Sequence, residues 1–122
     1  MTPADEIKQA ATRLRELATA AADNSGNPNW TATRHFPDQP DSTYTTLWAT
    51  GARPLLGGGG RGRVPYVHAP VGDYAAAMDP TVGLALAGWL DSWTGIDLRD
   101  DGPLPEDAQH ALTVARAILS QP

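Results

Sequence analysis

Residues 30–49 read WTATRHFPDQPDSTYTTLWA, two runs rich in threonine and aromatic residues on either side of a break rich in proline and aspartate. Threonine and aromatic side chains suit a pleated, half-buried surface, so both runs have strand composition. Alternation in the first run places Trp30, Ala32, Arg34 and Phe36 on one side, and Thr31, Thr33 and His35 on the other. Residues 37–42 predict a turn, and residues 43–49 a second strand antiparallel to the first. Such a hairpin is expected to set Trp30 and Trp48 facing each other across the strands, or stacked beside them.

Helices are expected on both sides of this hairpin. Upstream, Thr2-Pro3-Ala4-Asp5 is a helix start: threonine as N-cap, proline at the first helical position, acid in the first turn. Ile7, Ala10, Leu14, Leu17 and Ala21 recur at helical spacing, predicting an amphipathic helix to about Ala22, ended by the breakers of residues 23–29. Downstream, Arg53-Pro54-Leu55-Leu56 is expected as a short edge strand. Val64-Pro65-Tyr66-Val67-His68 is a further strand that Pro65 pushes to an edge. Residues 71–78 read as a short helix. Asp79-Pro80 then restarts a helix whose Val82, Leu86, Trp89, Leu90 and Trp93 share a face, widened by Leu84 and Ala85. After a loop over residues 95–103, a last helix from Pro105 turns Ala108, Ala111, Leu112, Ala115, Ile118 and Leu119 inward. Helix, strands, then helices is an α+β order. It predicts a small antiparallel sheet of three or four strands, packed by an N-terminal helix and two or three C-terminal ones, as a single domain over residues 1–122.

Composition narrows the function class. A formal charge of −5 opposes general nucleic-acid binding, because neutralising phosphates supplies most non-specific affinity. There is no cysteine in the chain, which excludes disulfides, thiolate catalysis and cysteine-ligated zinc. The N-terminus reads as a polar helix rather than a signal peptide, and no apolar run approaches membrane-spanning length; a cytoplasmic setting is expected, with no membrane partner.

The motif that most resembles a site is Gly57-Gly58-Gly59-Gly60, followed by Arg61 and Arg63. Consecutive glycines let backbone N–H groups converge on phosphate oxygens, and arginine offers them a planar fork. The loop lacks the lysine with serine or threonine of a nucleotide-binding P-loop, and a strand rather than a helix is expected after it. It reads first as a connector between Leu55-Leu56 and Val64-Pro65-Tyr66. Its second reading is a rim for an anionic ligand, with Tyr66 or Trp48 stacking on a base. His35, His68 and His110 lack metal-ligand spacing, and the Asp97, Asp100, Asp101 group lacks the glycine and terminal glutamate of a calcium loop; no metal or cofactor is implied. His68 with Asp73 would make a base and its orienter, but no nucleophile accompanies them, so no catalytic residue is assigned.

Residues 74–91, YAAAMDPTVGLALAGWLD, resemble the YIAAMxPAVGLALAxWLD segment of small accessory proteins encoded by actinobacteria and their phages. The opening helix with Leu14-Arg15-Glu16-Leu17-Ala18, Arg53-Pro54-Leu55-Leu56 and the closing helix of residues 111–119 are similar as well. A looser likeness, mainly over the central helix, extends to early-region accessory proteins of lambdoid phages. The resemblance implies a mobile-element context and brings no activity with it. The leading expectation is a non-enzymatic interaction protein of phage or prophage type. It would self-associate as a homo-oligomer, or bind a host protein, through Leu86, Trp89, Leu90 and Trp93. The alternative is a sequestering protein that holds an anionic, nucleotide-like small molecule with Gly57 to Gly60, Arg61 and Arg63.

Overall fold

The chain runs α1 (Pro3–Ser25), β1 (Trp30–Arg34), β2 (Tyr44–Ala49), β3 (Val67–His68), α2 (Ala69–Ala77), α3 (Pro80–Asp91) and α4 (Glu106–Leu119). A computed structural model describes residues 1–36, 38–39, 41–58, 60, 62–95 and 104–121. Among these, four helices and a three-stranded antiparallel sheet in the order β1-β2-β3 make the α+β class that the element order predicts. The Asp97, Asp100 and Asp101 group and most of the loop before α4 lie outside the described residues. Two compact units are distinguished: Met1–Leu17 with Gly83–Pro122, and Ala18–Val82.

The first unit is helical. Its core joins Ile7, Ala10 and Ala11 of α1, Leu90 of α3, and Ala108, Ala111, Leu112 and Ala115 of α4. Alanine dominates, so backbones approach closely, and Ile7 and Leu90 supply the largest fully buried side chains. The N-terminus of α1 is capped reciprocally: Thr2 Oγ1 accepts from the Asp5 N–H at 3.1 Å, and Asp5 Oδ2 accepts from the Thr2 N–H at 3.2 Å. Arg15 pairs with Asp91, and Arg116 with Glu6 at 3.2 Å. Leu17, expected on the inner stripe, is 52% exposed. The buried row runs through Ile7, Ala11 and half-buried Leu14 to Ala18, which leaves Leu17 outside it.

The second unit holds the sheet. α1 ends at Ser25 rather than Ala22, with the Gly26 N–H bonded to Ala22 O at 3.0 Å. β1 and β2 pair in the register Trp30↔Ala49, Thr31↔Trp48, Ala32↔Leu47, Thr33↔Thr46 and Arg34↔Thr45. This register corrects the expected tryptophan pair. Trp30 is opposite Ala49, not Trp48, and because side chains alternate, the two indoles lie on opposite faces of the sheet. Two expected strands also shrink. Residues 53–56 make only an isolated bridge, Trp48↔Pro54, and β3 keeps only Val67 and His68 of the five residues read as a strand. Pro54 and Pro65 have no N–H to extend a ladder.

Helix α2 packs on the face that carries Thr45. It comes so close at Gly72 that a Cβ there would sit 1.9 Å from Thr45 Oγ1 and 3.1 Å from Val67 Cγ2. Asp79 caps α3 as expected: Oδ1 accepts from the Val82 N–H at 3.0 Å, while Oδ2 accepts from the Trp30 N–H at 3.1 Å, tying the helix start to β1. The opposite face of the sheet carries Thr33, Thr46 and Trp48.

Candidate functional site

On that opposite face lies an open cleft of about 1140 Å³, lined by Thr33 to Phe36, Asp38, Thr46, Trp48 and Gly62 to Tyr66. It is built from a cross-strand pair. Thr33 and Thr46 stand in register on β1 and β2, and each fixes a ring. Trp48 Nε1–H donates to Thr33 Oγ1 at 2.9 Å, and Thr46 Oγ1 is 2.8 Å from His35 Nδ1. Both threonines are β-branched and stiff, so the two rings are held on a rigid support. Thr46 is 4% exposed, which removes water as a competitor for its hydroxyl.

Beyond β1 the backbone leaves extended geometry abruptly. Phe36 has φ +57°, a left-handed conformation rare for so bulky a residue. The turn gathers aromatic rings. His35 meets Phe36 edge-on at 4.1 Å and lies tilted by 32° against Tyr66 at 4.4 Å; Tyr44 adjoins Tyr66 and His68, each at 5.0 Å. Tyr66 and Phe36 remain 48% and 41% exposed, so this cluster offers ring surface to solvent. Arg63 lines the cleft with no ion pair among the described residues, and Asp38 adds one carboxylate; Arg34 lines it too, but in register with Thr45 its side chain belongs to the α2 face. Rings, hydroxyls and the unpaired Arg63 guanidinium together suit an anionic molecule that carries a planar ring.

The residues singled out in the sequence fall in several places. Trp48, Arg63 and Tyr66 meet in this cleft. Gly57 instead lines a smaller one of about 490 Å³ with Trp30, Arg53 and Leu55. Gly58 and Gly60 are exposed, and with Gly62 they take φ values of +88°, +75° and +72°. Glycine is thus required by the path of the loop itself, which is what a connector needs. Gly59 and Arg61 lie outside the described residues. His68 turns to Tyr44, with no hydrogen bond to Asp73 among the described residues, and no group of three metal-ligating side chains is found among them. On α3, Leu90 is fully buried, Leu86 is half-buried and Trp89 is 39% exposed; Trp93, expected on the same helix, follows its end at Asp91 in a turn and packs on the helical core.

Sequence reasoning does not single out Thr33, Thr46 or His35 as site residues, although it reads the alternation that puts Thr33 and His35 on one side of the first strand. Their common face follows from the register, in which Thr33 meets Thr46. No helix among the described residues is long and apolar enough to cross a membrane. Comparison with protein-family models, curated proteins and solved structures gives no match for this chain.

Proposed function

We propose that this chain is a non-enzymatic binding protein that captures an anionic, ring-bearing small molecule of nucleotide-like chemistry. The observation that carries this reading is the meeting of Trp48, Tyr66 and Arg63 around one open cleft. A nucleotide needs a stacking surface for its base and a forked cation for its phosphate, and the cleft is ample for one. Trp48 is held in place by Thr33 before any ligand arrives, which lowers the ordering cost of binding. Sequestration of such a molecule in the cytoplasm fits an accessory factor of the phage type that residues 74–91 resemble.

Thermal unfolding with a panel of nucleosides and nucleotides tests the reading. Phosphorylated members are expected to raise the midpoint in a concentration-dependent way, and Arg63→Ala or Trp48→Leu to abolish the rise. A panel without effect, or a rise that survives both substitutions, contradicts it.

A second reading rests on α3. Its outer side presents Leu84, Ala85, Gly88 and Trp89 without a charged residue, and Trp89 and Leu84 are 39% and 37% exposed. Such a side suits self-association or a host protein, with Trp89 as the anchor. Light scattering over a micromolar concentration range tests it: mass that rises with concentration and falls back in Trp89→Ala supports it, and a constant monomer removes it.

A further inference from the structure

We propose, resting on the reading of the cleft as an anion-and-ring site, that His35 determines its specificity by offering Nε2 to the ligand's anionic group, selecting a terminal phosphate over a neutral nucleoside or a phosphodiester. The geometry leaves this ring few alternatives. Nδ1 is engaged by Thr46 Oγ1 at 2.8 Å, and Thr46 is itself buried. Tyr66 lies against the ring at 4.4 Å and Phe36 meets it edge-on at 4.1 Å. Nε2 is the remaining polar atom of the side chain, and it has no hydrogen bond among the described residues.

An anion at Nε2 needs an N–H there, and Thr46 permits it in either protonation state. In the neutral ring with its proton on Nε2, the threonine hydroxyl donates to Nδ1; in the imidazolium the threonine oxygen accepts from Nδ1. Thr46 is therefore a positioning residue that fixes the ring's orientation and accommodates a proton on Nε2. The Thr33–Thr46 pair then acts as one device, fixing Trp48 for the ring of the ligand and His35 for its charge.

The preference for a terminal phosphate follows from counting acceptors. A phosphomonoester presents three free oxygens and close to two negative charges, which the Arg63 fork and the His35 N–H can share. A phosphodiester has two free oxygens, one charge and a second substituent to accommodate. A nucleoside has none of these and keeps only the stacking.

Calorimetric titration of the full chain with a nucleoside, its 5′-monophosphate and a dinucleoside monophosphate tests the inference. The wild-type chain is expected to bind the monophosphate roughly tenfold or more tighter than the other two. His35→Phe and Thr46→Val are expected to bring the three ligands together, and Thr46→Ser to keep the preference. In the wild-type chain with labelled imidazole nitrogens, the monophosphate should shift the Nε2 resonance of His35 more than the nucleoside does. That measurement decides the matter if a variant fails to fold. Equal affinities in the wild-type chain, an unmoved Nε2, or a preference that survives His35→Phe overturns the proposal while leaving capture by the cleft intact. If none of the three ligands binds, the reading of the cleft falls as well.

Discussion

Gly72 and Thr45 meet where α2 crosses the sheet, and the fit has no slack: a methyl group at residue 72 would overlap Thr45 Oγ1. Gly72→Ala is expected to destabilise the chain by about 1–3 kcal/mol, the usual cost of overpacking. Thr45→Ala should recover part of this in the double variant, as denaturant titrations of the four chains would show; simple additivity would contradict the contact. Nothing local marks Gly72 in the sequence, because it sits in an alanine-rich helical run and its constraint comes from a strand 27 positions away. Caps are the opposite case. Thr2 and Asp79 were legible because a cap bonds a backbone N–H only three residues on. The Asp5 carboxyl is held below its ordinary value by its hydrogen bonds with the Thr2 side chain and backbone. With the folded-state value depressed, the stabilisation is present above the unfolded value of about 4 and is lost as pH falls through the folded one. Asp5→Asn should flatten that part of a melting profile taken between neutral and acid pH. An unchanged acid limb would mean that the cap contributes nothing there.

At the scale of elements, α3 shows both what a periodic pattern reveals and where it stops. The helix, its start and its apolar character follow from local spacing. Which residue becomes core does not. Trp89 and Leu90 are adjacent and therefore point about 100° apart, so they cannot both occupy the centre of one face. Leu90 takes the buried side among α1 and α4, and Trp89 the rim. Leu90→Ala should cost about 2–5 kcal/mol, while Trp89→Ala should cost about 1 kcal/mol or less; thermal melts of the two variants check this. Equal losses would mean that Trp89 is packed as deeply as Leu90. The strands were harder to read. Threonine-rich runs announce extended backbone, but pairing partners come from elsewhere in the chain, and prolines at 54 and 65 cut two expected strands to a bridge and a pair of residues.

For the whole molecule, the class and the order of elements were legible, since they depend on composition and period. The cleft was legible only in parts. Trp48, Tyr66 and Arg63 stood out by residue type, whereas Thr33, Thr46 and His35 gain their meaning from the β1–β2 register and from the turn at Phe36. Four tryptophans make this testable in one experiment, because the indoles report three different places: Trp48 the cleft, Trp30 the α2 side of the sheet, and Trp89 and Trp93 the helical unit. An ¹⁵N-labelled chain titrated with a nucleoside 5′-monophosphate at constant protein concentration should show the Trp48 indole resonance moving saturably while the Trp89 and Trp93 resonances stay in place. A Trp48 resonance that does not move, or movement confined to Trp89 and Trp93, would contradict the cleft as the binding site.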